Sequence, residues 1–251
     1  AKLGVTVLTG VDSEVVAMVI GVSGLTQQRY LAATAARVVA LGGVGLAHIA
    51  DVAVEIAVEK GLLVLTGGPG TGKTPTVKGI IQLMKNRNLK VALAAPTGRA
   101  AQRMEELTGY SAKTIHRLLE VEYKEGSEMQ SFVHNISNPL DCDAVIVDEM
   151  SMVDVTLFSA LLDALPLHCR LIMVGDRDQL PPVGAGNVLR DIIDSGSISV
   201  VVLDKIFRQA MKSKIVTNAH RVVHGEMPEF DNSPESDFFL LRENSKYSVP
   251  T

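Results

Sequence analysis

Five short apolar runs punctuate the middle of the chain, at 62–65, 91–95, 144–147, 171–174 and 200–203, and stretches with helical spacing separate them. A continuous apolar run, unlike an alternating one, marks a strand covered on both faces. Five such strands alternating with helices predict an α/β fold, a parallel sheet with helices on both faces. In open sheets of this kind, ligands bind at the edge formed by the strands' C-terminal ends. Polar and glycine-bearing residues follow each run at that edge.

The flanking regions are less regular. Residues 1–60 are rich in Ala and Val; 5–8 suits a strand, while 14–20, 27–40 and 47–59 suit helices. This predicts a small, mainly helical N-terminal region. Gly43-Val44-Gly45 ahead of Ala47, Ile49 and Ala50 fits a helix–helix turn or a helix-hairpin-helix clamp on backbone phosphate. Residues 61–230 read as one domain, in which the apolar repeat lapses near 120–138. There 121–124 and 129–133 read as the arms of an inserted hairpin, with a plain loop as the alternative. Residues 231–251 read as a linker, with 237–241 a strand that begins a following domain.

The turn after the first run is Gly67-Gly68-Pro69-Gly70-Thr71-Gly72-Lys73-Thr74, and residues 77–83 after it have helical spacing. It fits G-x-x-x-x-G-K-[ST], the phosphate-binding loop, in the strand–turn–helix context that the pattern requires. Its glycines let successive N–H groups curl round a phosphate, and the helix N-terminus adds partial positive charge. Lys73 would reach the β- and γ-phosphates and the Thr74 hydroxyl would hold Mg²⁺. Pro75 falls in the first helical turn, where its missing N–H costs little.

Other turns carry matching chemistry. Val145-Ile146-Val147-Asp148-Glu149 ends a strand in an acid pair, Asp148 for the metal and Glu149 for the attacking water. Gln179, in Gly175-Asp176-Arg177-Asp178-Gln179-Leu180-Pro181-Pro182, is placed to sense a γ-phosphate; a polar turn is the plain alternative. Arg208, after Lys205-Ile206-Phe207, is a candidate cis arginine for transition-state charge, with a surface ion pair as the plain alternative. Thr97, Arg99 and Arg103 open a helix after the second strand, and Thr114 and His116 continue the track. They form a candidate phosphate-contacting surface for single-stranded nucleic acid, or else a solvated helix face. With no tryptophan in the chain, backbone contact would dominate over base stacking.

Composition narrows these readings. A length of 251 residues suits one large domain or two small ones. A net charge of −4 excludes a uniformly basic nucleic-acid binder, so any such surface is local. Cys142 and Cys169 sit in apolar surroundings and read as reduced residues of a cytoplasmic protein. No charged leader precedes an apolar core at the start, and the uncharged stretch 15–28 is too short to span a bilayer. The histidines at 48, 134, 168, 220 and 224 lack metal-like spacing, and His220 and His224 read as structural.

Together the motifs resemble superfamily 1 DNA helicases, within them the RecD-like 5′-to-3′ helicases of the exodeoxyribonuclease V alpha type. The resemblance covers 61–228, including Ala219-His220-Arg221. It implies a RecA-like P-loop NTPase domain that uses ATP and Mg²⁺ to move along single-stranded DNA and open duplex ends. It implies Lys73 and Thr74 at phosphate and Mg²⁺, Asp148 and Glu149 at metal and water, and Gln179 and Arg208 at the γ-phosphate. It sets Thr97, Arg99, Thr114 and His116 near the DNA strand and makes 120–138 the duplex-parting hairpin. Other recombination or repair subunits are the implied partners. Two departures stand out. The adenine-reading glutamine of the family corresponds to Ala50, and a second RecA-like domain does not follow before Thr251. The expectation is a fragment that hydrolyses ATP weakly and does not unwind DNA alone. The competing readings are a nucleotide-gated DNA-binding or assembly module and a P-loop small-molecule kinase.

Overall fold

The computed structural model describes residues 38–39, 53, 56–57, 61–122, 131–207 and 210–241. Its strands are β1 (Val38–Val39), β2 (Leu62–Gly67), β3 (Val91–Ala95), β4 (Ala112–Thr114), β5 (Val121–Glu122), β6 (Ser131–Phe132), β7 (Ala144–Val147), β8 (Arg170–Gly175) and β9 (Ser199–Leu203). Seven form one sheet in the order β1-β9-β2-β8-β7-β3-β4, with every pairing parallel. The helices are α1 (Lys73–Asn86), α2 (Gly98–Thr108), α3 (Ile115–Leu119), α4 (Val155–Ala164), α5 (Val188–Ser195) and α6 (Lys214–Val223).

Strand alternation divides the core in two. Leu63, Leu65, Ile146, Ile172 and Val174 face one layer, with Val77, Ile80, Ile81 and Met84 of α1, Met104 of α2, and the helical residues Ala53 and Ala57. Val64, Val145, Val147, Leu171 and Met173 face the other, with Ile115 and Leu119 of α3, Phe158 and Leu161 of α4, and Leu189 and Ile192 of α5. Both faces are dry, which is why the strands read as unbroken apolar runs. Each fully buried Leu or Ile contributes about 1.5–3 kcal/mol. Among the described residues, no helix is long and apolar enough to cross a membrane.

The structure departs from the sequence pattern in three places. Val38–Val39, inside the stretch whose spacing suits a helix, are extended and pair with Val200 and Val201 at the sheet's open edge. Two successive β-branched residues favour that pairing over a helical turn. Ala112–Thr114 adds a strand beyond β3 that has no apolar run to announce it. Residues 237–241 are not a strand. Phe238 stacks on Phe230 with ring centroids 5.6 Å apart, and the Asn232 side chain bonds both the N–H and the C=O of Leu240. The Asp237 carboxylate accepts from Ser213 Oγ and from the N–H groups of Lys214 and Ile215, closing the start of α6. The strands β5 and β6 pair antiparallel outside the main sheet, Val121 opposite Phe132. Residues 123–130 between them lie outside the described residues.

Candidate nucleotide site

β2 ends at Gly67, the turn runs through Gly68 to Gly72, and α1 begins at Lys73. Gly72 precedes the helix with φ +92, a conformation that other residues enter only at a cost, and the Phe207 ring occupies the place of its absent Cβ. Pro75 lies in the first turn of α1, where its missing N–H has no partner to lose. Lys73 folds back: its ammonium donates to the carbonyls of Gly67 and Gly68, the latter at 2.9 Å. Thr71 Oγ1 also donates to Gly68 O, at 2.8 Å. Burial pushes the Lys73 pKa down, while the charges of Asp176, Glu149 and Asp148 oppose the fall.

The acid pair stands at the end of β7, separated from β2 by β8 alone. The Asp148 N–H donates to Ala94 O at 2.9 Å, tying this end to β3. Asp148 Oδ1 accepts the Glu149 N–H at 2.9 Å. Loss of solvent raises the pKa of both carboxyls, and for Glu149 the neighbouring Asp148 charge adds to the rise. Glu149 is held at φ 52, ψ 42, a left-handed conformation unusual for a residue with a side chain. Ser151, two residues on, donates to Gln179 Oε1 at 2.9 Å.

The DNA candidates follow the ends of β3 and β4. Thr97 caps α2 by accepting the Ala100 N–H at 3.2 Å, and Thr114 caps α3 by accepting the Arg117 N–H at 3.1 Å. Each hydroxyl therefore has a local structural task that its helix requires. Arg99 is exposed on the first turn of α2. The His116 ring lies 6.0 Å from that of Phe132 on the hairpin. Arg103 stands apart from this group: its charge is felt at Lys73, Asp148 and Glu149, so it lies within electrostatic reach of the acid pair. Arg208 and Ala50 lie outside the described residues.

Asp176 and Ser151 carry no role of their own in the sequence reading, and His220 enters it only within the 219–221 motif. Asp176 is buried and lies within electrostatic reach of Lys73; its place at the end of an apolar run was the available signal. Ser151 orients Gln179, and its proximity to the acid pair was the clue. His220, read as structural, reaches the loop itself, with Nε2 3.0 Å from Pro69 O. A pocket of about 430 Å³ opens there, lined by Gly68, Pro69, Gln179, Asp204, His220 and His224 among others.

The donor set suits Mg²⁺ with a phosphate ester. Among the described residues there is no group of three or more His, Cys, Asp or Glu able to cage a metal. Mg²⁺ commonly takes one or two carboxylates and completes its shell with phosphate and water. Burial disfavours the charge of the half-buried Asp148 and Glu149, with the Asp148 charge adding to it at Glu149, and a cation beside the pair would offset that cost.

The sequence profile of the AAA domain family matches residues 50–185. The chain belongs to that family. This AAA domain is 46% identical over 167 residues to the ATP-dependent RecD2 DNA helicase of Deinococcus radiodurans, across 66% of this chain and 22% of that protein. It is 41% identical over 175 residues to the RecBCD enzyme subunit RecD of Mycolicibacterium smegmatis, across 60% of this chain and 31% of that protein. The match thus spans under a third of either relative. The resemblance to RecD-like superfamily 1 helicases holds at the level of the family. The crystal structure of Pif1 helicase from Candida albicans superposes with a TM-score of 0.53 at 23% identity, over 74% of this chain and 45% of that one. At that identity the likeness is one of fold.

Proposed function

We propose that this chain is the ATP-hydrolysing motor domain of a RecD-like DNA helicase, in which turnover of Mg-ATP drives translocation on single-stranded DNA and unwinding by the whole protein. One observation carries the reading: Lys73, at the mouth of a phosphate loop, lies within electrostatic reach of Asp148, Glu149 and Asp176 at the ends of β7 and β8. Gly67 to Gly72 would cradle the phosphates with backbone N–H groups. Lys73 would leave the carbonyls of Gly67 and Gly68 for the β- and γ-phosphates. Thr74 and Asp148 would hold Mg²⁺, which when bound neutralises phosphate charge. Glu149 would orient the attacking water and accept its proton, a role that its raised pKa suits. The Gln179 amide nitrogen would face the γ-phosphate, and Arg208 would stabilise transition-state charge in cis.

Thr97, Arg99, Thr114 and His116 are the proposed DNA track, with Arg103 where the track meets the metal end of the site. The hairpin built on β5 and β6 is the proposed duplex-parting element. A relative named as a subunit of the RecBCD enzyme supports partners among recombination or repair subunits. A motor on such DNA would be cytoplasmic. The test is hydrolysis of Mg-ATP by the 251-residue chain with and without single-stranded DNA oligonucleotides. Slow turnover that DNA accelerates is the expected result; nucleotide binding with no turnover under either condition overturns the motor reading.

A further inference from the structure

Helix α6 stands apart from both cores. Its one buried residue is Asn218, whose amide is tied to the backbone of Glu229 by two hydrogen bonds of 2.7 Å. What α6 reaches is the phosphate loop. His220 Nε2 lies 3.0 Å from the Pro69 carbonyl, and because a carbonyl only accepts, Nε2 carries the proton and donates it. The ring lies so close over Gly68 that a Cβ there would come within 2.6 Å of its Cε1 carbon. Gly68 has no positive φ, so the approach of the imidazole, not backbone freedom, accounts for this glycine. One turn further, His224 donates through its backbone N–H and its Nδ1 to the His220 carbonyl, at 3.1 and 2.7 Å. The same downstream stretch grips the loop once more: the Phe207 N–H donates to Gly70 O at 3.0 Å.

A trans peptide is planar, and its C=O and N–H point in opposite directions. Drawing the Pro69 carbonyl to His220 therefore turns the Gly70 N–H away from that ring, and drawing the Gly70 carbonyl to the Phe207 N–H turns the Thr71 N–H away from Phe207. Successive inward N–H groups are what make such a loop an anion cradle. We propose that His220 is a positioning residue for nucleotide binding, fixing the Pro69–Gly70 peptide so that its N–H faces the phosphates before they arrive. The inference rests on the reading of 67–74 as a nucleotide site. It adds a clamp on that site delivered from α6, distant in sequence from the loop.

The measurement is the affinity of the 251-residue chain for Mg-ADP by titration calorimetry, beside hydrogen exchange at the Gly70 and Thr71 amides. Losing one hydrogen bond that preorganises the cradle weakens binding about five- to ten-fold. His220→Ala is expected to show that loss and, in the Mg-ADP complex, faster exchange at Gly70, with Thr71, whose peptide is held through Phe207, little changed. His220→Gln sets an amide nitrogen where Nε2 stood and keeps wild-type affinity, whereas His220→Asn is too short to reach Pro69 and behaves like Ala. Gly68→Ala drives a methyl into the ring and weakens binding alone, yet adds nothing on top of His220→Ala. A role in packing alone would leave Gln and Asn equally impaired and the exchange at Gly70 unchanged, and either result overturns the clamp. Wild-type affinity in His220→Ala overturns it as well while leaving the nucleotide site intact. A wild-type chain that binds no Mg-ADP overturns the nucleotide reading and the clamp with it. The Gln variant, which shares the altered ring packing, separates a folding defect from loss of the donor.

Discussion

Ser151 Oγ donates to Gln179 Oε1 at 2.9 Å, joining the turn after β7 to the turn after β8. The bond settles which way the Gln179 amide faces. Its oxygen is taken by Ser151, so its nitrogen, a donor, is the end available to an anion. A neutral hydrogen bond of this kind contributes about 1 kcal/mol, roughly five-fold in rate when it serves only orientation. Ser151→Ala should lower kcat by about that factor with KM little changed. In a Gln179→Ala background the same change should do nothing further. Steady-state ATPase assays on the four proteins of the cycle check this, and additive losses would show that Ser151 acts elsewhere.

Lys73 is a cation held half-buried on two carbonyls, and its lowered pKa says that the folded protein disfavours its charge. At neutral pH the side chain is charged folded and unfolded, so the desolvation cost falls on the folded state alone. Stability therefore rises as pH climbs through the lowered folded pKa towards the ordinary value of 10.5. Lys73→Met is expected to cut turnover roughly 10²–10³-fold, the loss typical of removing a donor to transition-state charge. It should also raise the thermal midpoint at pH 7, with an advantage that shrinks towards pH 10. Wild-type turnover in the variant would remove Lys73 from the site.

Glu149 carries both backbone strain and an electrostatic burden. Its left-handed backbone costs about 1–2 kcal/mol in a residue with a Cβ, and glycine escapes that cost. Glu149→Gly should therefore be as inactive as Glu149→Ala yet more stable than it by about 1 kcal/mol, because glycine's greater freedom when unfolded offsets part of the gain. Its folded pKa is raised above the ordinary 4.5, so in metal-free buffer wild-type stability falls as pH rises through that window. Glu149→Gln should then be the more stable protein at pH 7, and the difference should close towards about pH 3, well below the ordinary 4.5, where the wild-type carboxyl is neutral in both states. Urea denaturation at the two pH values reads both effects.

These sites differ in how readily the sequence discloses them. Leu63, Ile146 and Ile172 belong to strands dry on both faces, so each run is apolar without interruption and its position is legible. Among the described residues Ala112-Lys113-Thr114 pairs with no strand but β3, and it exposes Lys113, so no apolar run marks it. Lys73 and Asp148 are visible because a short motif contains the chemistry and its context. His220 is not, because its partner is the carbonyl of Pro69, and a backbone acceptor leaves no signature in residue identity. Arg103 reads as part of a basic helix face, whereas the fold brings its charge to Asp148 and Glu149. Pattern discloses what burial demands of many residues at once; it is silent on single contacts made across the fold.

Cys142 and Cys169 stand at the opposite end of the sheet, before β7 and β8, as free thiols with sulfurs 3.9 Å apart. That is well beyond the roughly 2.05 Å of a disulfide, and the two share a hydrogen bond. The bond acts oppositely on its partners. It lowers the Cys142 pKa, and with burial it pushes the Cys169 thiol up. Since the thiolate is the reactive form and Cys142 is the more exposed, Cys142 should react first with iodoacetamide in the folded protein. In Cys142→Ser the remaining thiol should stay inert until the chain is unfolded in guanidinium, and then react fully. Mass spectrometry after timed alkylation gives the order directly; equal labelling of both residues in the native protein would mean that the strand ends at 142 and 169 open far more readily than their packing allows.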